Sequence, residues 1–260
     1  MTVRARRSRS LPNILELTNS SQTRINRSVK PPPASRAELD EVIVNVELTL
    51  ASIVQGLALS FLAENAATIL SQGKTSAWAY AFAALLIILL FWSRALIHTL
   101  TLIRWPLEFV HNFFYFACAL IEVLAFMQLS NPFLWFALNA IFAAAVWALF
   151  IHDLRLIRLR GADSAGPVGC RLYAVVEADQ WLNIRYIMPG MILFCAGSAW
   201  AIRANPGFWL DRHWHLLLIG CQALALILYL IHVVRAFTRM TPMISATRAE
   251  WRDDLEQLHD

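Results

Sequence analysis

The sequence has few charged residues, few glycines and prolines, and few cysteines. Only 15% of its 260 residues are charged, against about 25% in an ordinary soluble domain. Nine Gly and ten Pro are too few for a collagen-like chain. The four Cys have no pair at short spacing, which excludes a zinc ribbon and a disulfide-dense secreted scaffold. Hydrophobic residues make up 58% of the chain. This fraction alone does not exclude a soluble protein with one very apolar core.

Sequence signatures of common enzymes are missing as well. The chain has no G-x-S-x-G elbow, no H-E-x-x-H zinc motif, no phosphate-binding glycine loop and no C-x-x-C pair. The sequence therefore favours a protein that is not an enzyme and that uses no cofactor. A lipid-modifying membrane enzyme, with interfacial residues such as His152 and Asp153, is an alternative.

The apolar residues are concentrated in six runs, most of them long enough to cross the ~30 Å hydrocarbon layer of a membrane. We predict an all-α, polytopic integral membrane protein whose six transmembrane helices form three hairpins, within a domain covering 41–239. A disordered basic tail is predicted at 1–40, a cytoplasmic loop at 152–185 and an amphipathic helix at 240–260. The predicted spans are 42–63, 77–97, 109–128, 133–151, 186–202 and 214–234.

Basic residues lie almost entirely on one side of these spans. Of the 22 Lys and Arg residues, only Lys74, Arg203 and Arg212 fall on the other side. The positive-inside rule then predicts that both termini are cytoplasmic. We expect the inner membrane of a bacterium, with a mitochondrial membrane as the alternative. This asymmetry explains the net charge of +4 without a nucleic-acid partner.

The two tails are the regions predicted to make contacts beyond the bilayer core. The basic tail at 1–40 is expected to touch anionic lipid. In the helix at 240–260, Trp251, Leu255 and Leu258 form one apolar stripe. Such a stripe suits the bilayer surface, a protein partner or a second copy of the chain.

Several polar side chains fall within the predicted spans, where such groups are costly and mark either packing or function. Glu122 and Asn139 come to the same depth when the third and fourth spans fold into a hairpin, which predicts a hydrogen bond between them. Gln55 and Gln222 lie near mid-depth, and Glu47 lies near the inner boundary. A hydrated path is the interpretation favoured for Glu122, but not for Asn139 alone, and hydrogen bonding between helices is the alternative for these residues.

The fifth span is short and interrupted by Pro189 and Gly190. An interrupted helix beside a polar first span is the pattern expected near a transporter site. We therefore predict an ion or small-solute channel or transporter with a polar path past Glu122 and Gln55. The main alternative is a membrane scaffold or signalling partner that acts through its cytoplasmic tails.

Histidine and arginine recur where three of the spans reach the predicted cytoplasmic boundary. On the opposite side the only histidines are His213 and His215, and no histidine inside a span lies at that depth. A chain of haem groups across the bilayer would therefore lack ligands. Anchoring at the interface explains these residues better than a metal site does, and no metal is predicted. The residues assigned to this interface are His98, Arg104, His152, Arg158, His232 and Arg239.

Overall fold

The computed structural model describes residues 33–101, 109–162 and 167–257. The chain divides into two compact units, Met1–Glu41 and Val42–Asp260, and the helical bundle belongs to the second. Secondary structure in the described ranges is helical throughout, as the sequence predicts. The α-helices of these ranges are α1 (Pro33–Ser71), α2 (Trp78–Thr101), α3 (Phe109–Phe126), α4 (Pro132–Ala162), α5 (Pro167–Leu182), α6 (Met188–Ala204) and α7 (His215–Gln257).

The helices have the length and composition of membrane spans. α3 is apolar, but its apolar part, Val110–Phe126, is shorter than the others; its 18 residues extend about 27 Å. The prediction of an all-helical membrane protein is therefore confirmed at this level, while the six-span topology and the side on which the termini lie stay predictions. Five stretches of the described chain are long and apolar enough to cross a membrane: Leu48–Ser71, Thr75–Ile97, Pro132–Leu159, Val168–Ala204 and His215–Thr247.

The segment predicted as a loop, 152–185, is largely helical instead. α4 continues to Ala162 and α5 begins at Pro167. The ends of α4 and α5 pack against the distal part of α7 around a small apolar core. Burial of apolar side chains stabilises helices beyond their intrinsic propensity, which explains why these helices extend past the predicted spans. This core, called here the distal cluster, contains Ile157, Leu172, Val176, Met240 and Ile244.

The helix predicted at 240–260 is the end of α7, which runs without interruption past Pro242. Its 43 residues extend about 64 Å at 1.5 Å per residue, roughly twice the hydrocarbon thickness of a bilayer. The stripe of Trp251, Leu255 and Leu258 lies outside the described side chains. Residues 1–32 of the predicted basic tail are also outside the described residues, and α1 begins at Pro33.

The interruption predicted in the fifth span is a widened turn. Asn183–Ile187 forms one turn of π-helix between α5 and α6, and the chain stays helical on both sides. Pro189 has no N–H to donate, and its ring would clash with the carbonyl group of Arg185 in a regular α-helix. A π-turn directly before the proline accommodates both effects.

The bundle is organised around two groups of helices. In one group, α4 packs against α3, α5 and α6; in the other, α2 packs against α7. Packing of α5 against α7 connects the two groups. Polar side chains join the two groups at both ends. We name these the Tyr80 end and the Arg94 end, after the residues of α2 that lie there.

Candidate functional site

At the Tyr80 end, buried polar side chains connect α2, α4, α6 and α7. The Tyr80 hydroxyl lies 2.9 Å from Nδ1 of His215, and the rings of Tyr80 and Trp135 meet edge to face with centroids 5.5 Å apart. Trp135 Nε1 donates to Oε1 of Gln222 at 2.9 Å, and Nε2 of Gln222 donates to Sγ of Cys195 at 3.8 Å. Gln222 was predicted as part of a polar path. Both polar atoms of its side chain instead form hydrogen bonds between helices.

At the Arg94 end, a buried ion pair connects α2 to α5. Arg94 Nη1 donates to Oδ2 of Asp179 at 2.6 Å, and Nη2 donates to Oε1 of Gln180 at 3.1 Å. His232 Nε2, on α7, lies 3.0 Å from Oδ1 of Asp179. Arg94 and Gln180 are almost completely buried, so these hydrogen bonds form away from water, where they are strongest.

The same layer continues through α5 to α4 and α7. The Tyr229 hydroxyl donates to Oδ1 of Asn183 at 2.5 Å, and Asn183 Nδ2 donates to the Asp179 carbonyl oxygen at 2.7 Å. Gln180 Nε2 donates to the Phe150 carbonyl oxygen at 2.9 Å. We call this set, with Arg94 and His232, the Arg94 layer. Of its members, the sequence singled out only His232 as an interface residue, since partners on other helices leave no local pattern.

Between the two ends lies a cavity of about 640 Å³. Its lining is mainly apolar and comes from α1, α2, α3, α4, α6 and α7. On α4 the lining runs from Asn139 to Asp153, about 21 Å of helix at 1.5 Å per residue. The cavity is therefore long and narrow. Its apolar wall includes Phe91, Phe142, Val146, Met188, Met191 and Leu226.

One end of this cavity is polar. Arg94, Tyr229 and His232 of the Arg94 layer contribute to the lining there. A second pair, His111 on α3 and Asp153 on α4, lies at the same end, with His111 Nδ1 2.8 Å from Oδ1 of Asp153. The cavity thus has an apolar length and a polar end rich in hydrogen-bonding groups.

The cavity also reaches the outer surface of the bundle. Phe116 on α3, and Cys221 and Leu228 on α7, line it, although each of them is exposed. Exposed apolar side chains at the middle of a membrane-spanning helix face lipid, so this opening is directed toward the hydrocarbon of the bilayer.

The predicted hydrogen bond between Glu122 and Asn139 is wrong. Glu122 Oε2 accepts a hydrogen bond of 3.4 Å from Nε2 of Gln55 on α1, while Asn139 Nδ2 donates to the Trp135 carbonyl oxygen at 2.9 Å. The two residues share a depth, but the face of α3 that carries Glu122 meets α1. Glu122 and Gln55 are only 1% and 5% exposed, and neither lines the cavity.

The remaining predicted residues are distributed among several places. Gly190 lines the cavity, beside the π-turn that precedes Pro189. Arg158 pairs with Glu177 at 2.7 Å, His152 is half-buried, and Arg239 is exposed. The side chains of Glu47 and His98, and all of Arg104, lie outside the described residues.

The described lining of the cavity is mainly apolar, and its charged and imidazole side chains, Arg94, His111, Asp153 and His232, lie at one end. No group of three or more His, Cys, Asp and Glu side chains in the described ranges is placed to hold a metal ion. No protein-family model matches the sequence, and neither a curated protein nor a solved structure matches it significantly.

Proposed function

We propose that this membrane protein binds a single-tailed amphiphile in the interior cavity and exchanges it with the surrounding lipid, as a transporter of a membrane-soluble compound does. The observation that carries the proposal is a long apolar cavity with hydrogen-bonding side chains at one end. An aliphatic or isoprenoid tail would fill the apolar length. The head group would hydrogen-bond with Tyr229, His232 and His111, which line the polar end.

The dimensions of the cavity support a ligand with one tail. A volume of about 640 Å³ falls within the range of roughly 300–1,000 Å³ typical of small-molecule sites. Its lining extends about 21 Å along α4, a length that suits one extended hydrocarbon tail.

The opening toward lipid supports exchange with the membrane. Leu228 and Phe116 belong both to the cavity lining and to the exposed surface, so the cavity borders the surrounding lipid at these side chains. We further propose that the Arg94 end faces the cytoplasm of a bacterium, because most basic residues lie toward that side. The head group would then enter from the inner leaflet.

The narrower prediction, an ion or small-solute path past Glu122 and Gln55, has less support from the contacts. These two side chains are hydrogen-bonded to each other and lie outside the cavity lining. Gln222 is hydrogen-bonded to Trp135 and Cys195. The scaffold alternative depends on the tails, and residues 1–32 lie outside the described residues.

Photolabelling tests the proposal. The protein is placed in lipid nanodiscs with a palmitic acid that carries a diazirine near the end of its tail, illuminated, and digested for mass spectrometry. We expect crosslinks on Phe142, Met188 and Met191, which line the cavity, in several-fold excess over Leu193 and Trp200, which are strongly exposed to lipid. Release of the bound probe into added empty liposomes then measures exchange.

Two cavity variants and one control variant test whether the probe binds inside the cavity. Ala143→Trp places a large side chain inside the cavity, and Ala225→Trp places one at its exposed edge. Both are expected to reduce crosslinking of the lining several-fold, while Leu193→Trp, on the lipid-facing surface, leaves it unchanged. Crosslinks spread evenly over lipid-facing positions, or crosslinking of the lining that neither cavity variant reduces, would refute the proposal.

A further inference from the structure

Glu122 and Gln55 form a buried polar contact between α3 and α1, and the cavity does not account for it. Nε2 of Gln55 donates to Oε2 of Glu122 at 3.4 Å. Oε1 of Gln55 and Oε1 of Glu122 are buried with no hydrogen-bond partner, and so is the hydroxyl of Tyr115, a neighbour on α3. An unpartnered buried acceptor is costly, and two of them facing one contact need an explanation.

No cationic side chain in the described ranges pairs with Glu122. Its neighbours on α3, Tyr115 and Cys118, are uncharged in their ordinary forms. On α1 the facing group is the amide of Gln55, and Glu64 is exposed nine residues further on. α4, which packs on α3, has no charged or titratable residue before His152. A carboxylate in this position would be an isolated charge in an apolar interior, which is strongly unfavourable.

A single proton resolves both difficulties. If Oε1 of Glu122 carries a proton, it can donate to Oε1 of Gln55, while Gln55 Nε2 donates to Oε2 of Glu122. This acid–amide pair has two hydrogen bonds, gives both Oε1 atoms a partner and carries no charge. We infer that Glu122 and Gln55 form a proton-binding site, and that the bound proton holds α1 against α3.

The site is adjacent to the cavity. Ala51 lies one turn before Gln55 on α1, Tyr115 lies two turns before Glu122 on α3, and both line the cavity. When Glu122 transfers its proton to water, the remaining charge favours hydration of the contact and separation of α1. The link between proton release and ligand exchange rests on the proposed function, whereas the proton site itself does not.

The direction of the pH dependence follows from linkage. The docked form of α1 holds a proton on Glu122, and the separated, hydrated form releases it at the ordinary pH of a carboxyl group. Docking is therefore complete at low pH and is lost as the pH rises. One proton per molecule shifts the docking equilibrium about tenfold per pH unit in that range.

Cys118 provides a native reporter of docking. It lies between Tyr115 and Glu122 on α3, is completely buried, and packs in a cluster with Ala51 of α1. Cys170, on α5, is exposed, does not line the cavity, and serves as an internal reference for the effect of pH on thiol reactivity. N-ethylmaleimide, a membrane-permeant reagent, is added to the protein in nanodiscs, and the two cysteines are quantified by peptide mass spectrometry.

We expect the ratio of Cys118 to Cys170 labelling to rise about tenfold per pH unit once proton release begins. In Glu122→Gln the ratio should stay low at every pH, since an amide pairs with Gln55 and carries no charge. Glu64→Gln, an exposed change on α1, should behave as wild type. A flat ratio in wild type, or an equal rise in Glu122→Gln, would overturn the inference.

Infrared difference spectroscopy gives a second measurement that depends on neither cysteine nor ligand. At a pH where exposed carboxyl groups are ionised, the C=O stretch of a carboxyl group that is still protonated should be present in wild type and absent in Glu122→Gln. In wild type it should be lost over the pH range in which Cys118 becomes reactive. Absence of this band in wild type overturns the proton site. The proposed function is judged separately, because the photolabelling pattern requires no titration of Glu122.

Discussion

The buried ion pair between Arg94 and Asp179 has a counterpart on the surface of the same helix. The effect of burial on the stability that an ion pair contributes can therefore be measured within one protein. Asp179 accepts from Arg94 at 2.6 Å, and their side chains are 11% and 6% exposed. Glu177, also on α5, accepts from Arg158 at 2.7 Å, but these side chains are 35% and 53% exposed. The two pairs differ little in distance and greatly in contact with solvent.

Asp179→Asn should therefore destabilise the protein far more than Glu177→Gln. The first change leaves the Arg94 guanidinium buried without a counter-charge and weakens the contact with His232, at a cost of about 3–5 kcal/mol in the free energy of unfolding. The second removes a pair that water already screens, at a cost of about 0–1 kcal/mol. The double change Arg94→Met with Asp179→Leu should recover part of the loss, because no buried charge remains.

The assay is equilibrium unfolding in mixed micelles by titration with sodium dodecyl sulfate, followed by circular dichroism. Each single variant is compared with wild type under the same lipid and salt conditions. Free energies for Asp179→Asn and Glu177→Gln that agree within about 0.5 kcal/mol, the usual range for surface substitutions, would refute the assignment of the Arg94 layer as a buried connection.

Two further changes are tested by the same unfolding assay. Gln222→Leu removes the acceptor of the buried Trp135 N–H and should cost about 1–3 kcal/mol; no loss would mean that this hydrogen bond does not join α4 to α7. Ile157→Ala, in the distal cluster and 1% exposed, should cost about 2–5 kcal/mol, whereas Leu159→Ala, 65% exposed, should stay within about 0.5 kcal/mol. Equal losses at these two positions would mean that the distal cluster does not stabilise the bundle.

Much of the architecture could be predicted because helices of membrane-spanning length leave a local signal. Each predicted span coincides with one helical stretch of the structure, apart from the last two residues of 109–128 and the first residue of 214–234. The disturbance at Pro189 was detectable because proline acts on its own backbone. The helical segments at 153–162 and 167–182 were mistaken for a loop. Their helicity depends on apolar packing against α7, and this packing cannot be recognised from the sequence of one segment alone.

For the polar residues, too, the position along a helix could be predicted but the hydrogen-bond partner could not. Glu122 and Gln55 were identified as unusual from their depth, but the partner of Glu122 was predicted on α4 and lies on α1. Depth follows from position along a span, whereas a partner depends on which helix faces meet. Arg94 and Asp179 are 85 positions apart, so their pairing has no sequence signal at all.

By itself, the sequence determined that this protein consists of apolar helices suited to a bilayer, because the length and composition of a span are properties of consecutive residues. Only the tertiary structure decided that polar side chains join α2 and α7 to α4 at the Tyr80 end and to α5 at the Arg94 end, with a cavity between the two ends. The cavity and its polar end exist because polar side chains from distant segments pair at the Arg94 end, while mainly apolar side chains line the space beside them.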